Sequence, residues 1–249
     1  MTNPSGTQSW HERFWRNNNL ADIARGLVPH SKPFSMYGER QTAGAVENVI
    51  LWETGMPQTL TVPQSIQLSF VSSGTDVRRF KLLYLDGDLN EQVEIVTLTG
   101  TTPVLTVATD IRFVNLAYFL DGPAARTVTG TQGGVTYVLL STGQVQFNGA
   151  LYRVPAGRRL ILTSAYAGAT SATADARTVV KAETSFFNGD RFADEGILNP
   201  LAGLALQDVT ATLDLGAYPV PAGEIVALVF KTSKAAEVVG GFFGWVEKA

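Results

Sequence analysis

The chain has no cysteine, two histidines and no uninterrupted apolar run long enough to cross a membrane. The first absence removes disulfides, thiolate nucleophiles and zinc-thiolate sites together. The second leaves His11 and His30, both near the N-terminus and neither at metal-ligand spacing such as His-Glu-x-x-His. There is no Gly-x-Ser-x-Gly elbow, so a Ser-His-acid mechanism has no visible nucleophile. Charge is scarce as well: 16% of the 249 residues are charged, and a net charge of -3 gives no basic footprint for nucleic acid or an anionic membrane. Neither partner is expected. The opening MTNPSGTQSW has no basic start followed by an apolar stretch, which reads as a soluble chain not exported by a cleaved signal. With 45% hydrophobic residues the chain can build a full core and should fold almost throughout.

What is present divides at about residue 44. In residues 1–44, Ser9 and Glu12 have capping-box spacing, and Trp10, Phe14 and Trp15 fall on one helical face. After Asn17-Asn18-Asn19 a second short set, Leu20, Ile23, Ala24 and Leu27, follows at helical spacing until Gly26 and Pro29 end it. The segment reads as an N-terminal arm with short helices. Three large rings are too many for so short a segment to bury alone. They fold back on their own body or anchor to another subunit, and the candidate partner-binding residues are Trp10, Phe14, Trp15, Leu20 and Ile23.

From Ala45 the hydrophobic period changes to two, and Gly, Pro, Asn and Asp punctuate segments rich in Val, Ile, Thr, Tyr and Phe. Residues 45–249 read as an all-β body, an antiparallel, jelly-roll-like β-sandwich. Asp86-Gly87 predicts a tight hairpin turn between Phe80–Leu85 and Glu91–Leu98, with Val93 and Ile95 on the apolar face of the second strand. Val-Pro is expected to open strands at Val62-Pro63, Val154-Pro155 and Val220-Pro221. Ala167–Arg177 reads as a long hairpin loop. Phe187–Gly203 reads as a segment without alternation that holds a short helical turn.

Candidate chemistry is thin. Asp86, Asp88 and Asn90 have the spacing of the first calcium-loop ligands, but Glu91 stands where that loop needs Gly and Thr97 where it needs Glu. Gly130–Gly134 lacks the Lys-Ser/Thr of a phosphate loop. Asp190, Asp194 and Glu195 share one loop and would need a cleft to work as a carboxylate pair. The chain is read as a non-enzyme with no cofactor and no metal.

The stretch Ser73–Gly122 contains YLDGDLNEQVEIVTLTGTTPVLTVATDIRFVNLAYF. It resembles a segment of structural proteins of tailed-bacteriophage virions, matching at Tyr84, Leu85, Asp86, Glu91, Thr97, Leu98, Gly100, Thr101, Thr102, Pro103, Val104, Ile111, Arg112 and Asn115. The later YRVPAGRRLILTSA looks like the corresponding part of such proteins, whereas DGPAARTVTGTQGG after Leu120 departs from them. The resemblance implies a virion component that forms a jelly-roll-like sandwich and works by packing, without specifying its place in the particle; the leading reading is a capsid decoration or cement protein. Its partners would be the major capsid protein or other virion proteins, it would form a homo-oligomer with a trimer favoured, and it would be assembled in the host bacterial cytoplasm. The alternatives are a head-to-tail, tail or baseplate component, or a receptor- or glycan-binding jelly-roll module.

Overall fold

The structure, a computed structural model, describes residues 19–57, 66–171, 178–185, 197–203 and 209–249. It is all-β: the described residues hold one short helix, α1 (Asn19–Ala24), and strands that pair antiparallel throughout. The helix ends as its sequence predicts. Gly26 takes a left-handed φ of 73°, its N–H donates to the Ile23 carbonyl at 2.9 Å, and the Leu27 N–H donates to Asp22 at 2.8 Å. These are the two bonds of a Schellman cap.

The described strands form four sheets. The outer sheet contains β1 (Ser31–Thr42), β16 (Ala236–Lys248), β11 (Arg158–Thr170) and β14 (Val209–Val220), in that order. The central sheet is built on β15 (Ile225–Thr232). One edge of β15 pairs with β12 (Thr178–Ser185), which pairs onward with β13 (Ile197–Gly203). Its other edge is shared in tandem by β10 (Leu151–Arg153) and β2 (Val46–Ile50). Between β2 and β10 the chain builds an inserted lobe of two smaller sheets. One has the order β6 (Val104–Leu105), β3 (Ser69–Ser72), β8 (Val128–Gln132), β9 (Val135–Leu140). The other has the order β5 (Glu91–Thr97), β4 (Arg79–Leu85), β7 (Phe113–Phe119).

Two cores result, with β15 between them. Val226, Leu228 and Phe230 face the outer sheet and pack with Leu160, Leu162, Val238 and Phe242. Ile225, Ala227 and Val229 face the inserted lobe and join Phe70, Phe80, Leu82 and Phe119. Within the lobe the Phe70 and Phe80 ring centroids are 4.7 Å apart and those of Phe80 and Phe119 6.0 Å, in the inclined geometries that aromatic quadrupoles favour. The outer sheet is drawn tight by glycine. A Cβ at Gly244 would lie 1.9 Å from the Ile161 carbonyl oxygen, so no side chain fits there.

Several local expectations change. Ser31–Thr42 is a full strand of the outer sheet, so the sheet begins before Ala45. Alternation is hidden there because Gly38 and Arg40 occupy buried positions of β1 where apolar residues would have announced it. The Asp86-Gly87 turn is instead a five-residue loop, Asp86–Asn90, whose left-handed residue is Leu89 at φ 65°. Asp86 organises it, accepting N–H bonds at Oδ1 from Asp88 and Asn90 and at Oδ2 from Gln92. These donors occupy the carboxylate that the calcium-loop spacing brought to notice. Although its partial burial works to raise the Asp86 carboxyl pKa, the hydrogen bonds outweigh it and hold the group below its ordinary value.

In the two described Val-Pro motifs, the proline precedes the strand rather than opening it. Pro155 to Gly157 and Pro221 to Gly223 are turns that end in left-handed glycines, and β11 and β15 start after them. Ala167–Thr170 extends β11, and Ile197–Gly203 is a strand. Pro200 is tolerated because β13 lies at the edge of the sheet's path. Val62-Pro63, His11, Asp190, Asp194 and Glu195 lie outside the described residues.

Candidate assembly surface

The register of the β5–β4–β7 sheet places six side chains of its outer face in two rows. Val93, Leu83 and Leu116 form one row, and Ile95, Lys81 and Tyr118 the other. Side chains alternate along a strand, so their neighbours Phe80, Leu82, Val96, Ala117 and Phe119 point the other way into the core. Val93 is 51% exposed and Ile95 56%, while Leu83, Leu116 and Tyr118 are half-buried and belong to neither core. The Lys81 ammonium sits 5.9 Å from the centroid of the Tyr118 ring, a cation–π arrangement that keeps the charge on the same face as the apolar row.

This reverses the sequence expectation for β5. Val93 and Ile95 are on one apolar face as read, but that face is turned away from the core. The residue that reaches the core is Val96, with Glu94 beside it accepting hydrogen bonds from the Val107 and Ala108 backbone at 2.7 and 3.2 Å. Tyr118 is on the outer face for the same reason. Trp52, Tyr84, Phe113, Phe119, Phe147 and Tyr152 are buried.

Polar bonds brace this sheet and the wider lobe. The Asn115 amide clamps the backbone of Arg153 in β10, donating from Nδ2 to its carbonyl at 3.0 Å and accepting its N–H at Oδ1 at 2.9 Å. A second seam gathers carboxylates. Buried Glu53 accepts from Ser141 Oγ at 2.9 Å and from the Gln144 amide, and Glu39 accepts from Tyr37 Oη at 2.8 Å and Asn148 Nδ2 at 3.2 Å. Burial, followed by the hydrogen bond and charge of Glu39, pushes the Tyr37 phenol well above its ordinary pKa. Glu53 ties two parts of the inserted lobe together, and Glu39 of β1 joins the lobe to the outer sheet through Asn148. At the rim, Arg79 donates from Nε and Nη2 to Asp121. The hydrogen bonds from Arg79 hold the Asp121 carboxyl at about 2.

The predicted arm residues fare differently. Ile23 is 2% exposed and packs against Ile161 and Trp245 on the outer sheet, with Val28 and Ala217 around them. Its contact is thus with its own chain. Trp10, Phe14 and Trp15 lie outside the described residues, as does the side chain of Leu20. Lys81, Leu83 and Leu116 were not singled out from the sequence. Their signal was the cross-strand pairing with Val93, Ile95 and Tyr118, which needs the register.

No family model matches the chain, and no curated protein matches it. Among solved structures it is similar to a structure of infectious bursal disease virus Gt strain, with 8% identity and a TM-score of 0.22, over 92% of this chain and 78% of that one. It is similar also to the Gx strain, at 12% identity and a TM-score of 0.20 over 88% and 71%. A third is the VP2 subviral particle of infectious bursal disease virus, at 9% identity and 0.16 over 89% and 77%. These neighbours come from viral particles, and the likeness is too loose to carry an argument about this chain.

Proposed function

We propose that the chain is a non-enzymatic structural protein of a tailed-bacteriophage virion, and within that class a capsid decoration or cement protein. The observation that carries the reading is a coincidence of sequence and surface. The Ser73–Gly122 stretch that resembles virion structural proteins is also the stretch that folds into the sheet with the uncovered apolar rows Val93–Leu83–Leu116 and Ile95–Lys81–Tyr118. An apolar face of this kind is suited to packing against another protein, and the Asn115 clamp to β10 holds its sheet to the body. In this reading the chain associates with copies of itself, a trimer being favoured, and with the major capsid protein. Trp10, Phe14, Trp15 and Leu20 serve as anchors of the N-terminal arm, while Ile23 ties the base of the arm to the outer sheet.

Copy number tests this. Quantitative mass analysis of purified particles should find hundreds of copies per virion, in icosahedral multiples. Counts of tens or fewer would assign the chain to the tail, and absence from particles would overturn the virion reading altogether.

A further inference from the structure

The outer sheet has a second face, and one end of it is already occupied. Along β16 the side chains of Val239, Phe243 and Trp245 point away from the core that Val238 and Phe242 enter. Ile23 of α1 packs on Trp245 and Ile161, and Trp245 is left only 3% exposed. Two residues along the strand, about 7 Å away, Phe243 is 43% exposed. Its ring stacks on that of half-buried Tyr166, with centroids 5.4 Å apart and planes inclined by 22°. The register sets Gly241 between Tyr37 and Tyr166, and a Cβ on Gly241 would come within 2.9 Å of the Tyr166 ring. That ring therefore lies across the glycine, and Phe243, Tyr166 and Tyr37 make one aromatic patch beside α1.

The chain that enters α1 brings a matching set of rings. Trp10, Phe14 and Trp15, in the residues before Asn19, share one helical face. So short a helix is marginal in water, and its apolar side needs a surface on which to order. Trp15 is four residues from Asn19, a tether of at most about 14 Å, and α1 already holds the chain on this face at Trp245. The Val93 and Ile95 rows, by contrast, belong to another sheet, in the inserted lobe. Charge agrees with the pairing. The outer face carries Glu39, opposite Val239, and Glu237, while the arm carries Arg13 and Arg16 against one acid, Glu12.

We infer that the Phe243 and Tyr166 patch is the seat of Trp10, Phe14 and Trp15 of the same chain. The short tether favours the chain's own arm over a neighbour's by raising its effective concentration. The consequence for assembly is directional. A chain with two different uncovered apolar faces can add copies head to tail without closing, whereas an arm folded over the outer sheet leaves the Val93 and Ile95 face to direct association. The inference rests on the reading of these rings as anchors and adds where they anchor.

Nuclear Overhauser contacts in the full chain test it, since Trp10 and Trp15 are two of four tryptophans and the others, Trp52 and Trp245, are buried. The indole protons of Trp10 or Trp15 should show contacts to the ring protons of Phe243 and Tyr166. In a mixture of isotope-labelled and unlabelled chains, the filtered spectrum that passes only contacts between chains should lack them. Phe243→Thr should abolish the contacts and raise the fraction of tryptophan emission open to acrylamide toward one half, with the amide spectrum of the core strands unchanged. Contacts to Val93 or Ile95 instead, or none to either face, would overturn the seat, and contacts in the filtered spectrum would overturn its assignment to the same chain. A chain that shows the contacts but never joins particles would sink the virion reading and leave the seat standing; one that joins particles without them would do the reverse.

Discussion

β15 and β5 are both antiparallel strands with several large aliphatic residues, yet they hold opposite places in the molecule. β15 lies between two cores and is paired along both edges, so that Ile225 through Phe230 are all buried. Among the described residues β5 pairs with β4 alone and, of its three aliphatic side chains, buries Val96 and leaves Val93 and Ile95 out. The continuous run IVALVF has no wet face, and a strand with no wet face must be covered on both sides. The alternating run EQVEIVT says that one face is apolar without saying what covers it. Alternation therefore reports chemistry, and only pairing and layering report burial.

The largest way to test this contrast is to open the covered strand. Phe230 is 1% exposed in the core between the central and outer sheets. Phe230→Ala should cost about 3 to 5 kcal/mol, through lost transfer energy and the cavity left behind. Urea unfolding measures it. A loss below about 1 kcal/mol would mean that β15 is not the shared wall of two cores.

Next in size is the joint that fixes the β5–β4–β7 sheet to β10. Asn115→Ala removes both bonds to the Arg153 backbone, and a buried backbone group left unpaired costs about 1 to 3 kcal/mol. Asn115→Asp keeps the acceptor but loses the donor and should fall between the alanine variant and wild type. Hydrogen exchange at the Arg153 amide should speed up in the alanine variant. Unchanged exchange there would show that the clamp does not hold this seam.

Much of this architecture could be read from the sequence, and the failures have identifiable causes. β4, β5, β11 and β15 lie where period-two runs and turn residues placed them. β1 was missed because Gly38 and Arg40 stand on its buried face. The five-residue loop at Asp86 was missed because its left-handed residue is a leucine, held by packing of Leu89 on the core and by its carbonyl bond from the Ala156 N–H at 2.9 Å. The outer rows and the Asn115–Arg153 joint are products of register and of a long-range clamp. Each joins residues far apart in the chain, and no local pattern encodes such a meeting.

At the fringe of β4 the effect is smaller and depends on pH. The bonds from Arg79 keep the folded Asp121 carboxyl at about 2, below the value of about 3.9 for a free aspartate. The pair therefore favours the folded state above about pH 4 and loses that contribution as pH falls through 2. Both side chains are substantially exposed, so salt should weaken the effect. Carbon-detected titration of Asp121 should give a midpoint near 2 in the wild type and one nearer the free value in Arg79→Gln. An unchanged midpoint would remove the ion pair as its cause.

The smallest effect on stability should come from the outer face itself, and it decides whether β5 is an unfinished interface or simply a wet strand. Val93→Thr with Ile95→Thr keeps both residues β-branched, preserving the strand preference while replacing a methyl of Val93 and the ethyl of Ile95 by a hydroxyl. At exposed positions this should change folding stability by no more than about 0.5 kcal/mol. If the face is covered by a second copy, the same pair loses apolar burial in the complex, about 1 kcal/mol for each half-exposed side chain, and association should weaken by tenfold or more. Val96→Thr supplies the mirror image. That side chain is buried, so a hydroxyl there should lower the melting temperature markedly and leave the association of the folded fraction unchanged. Sedimentation equilibrium and thermal melting of the two variants, side by side, read both quantities. A double-threonine variant that associates as tightly as wild type would remove the Val93/Ile95 rows from the assembly surface.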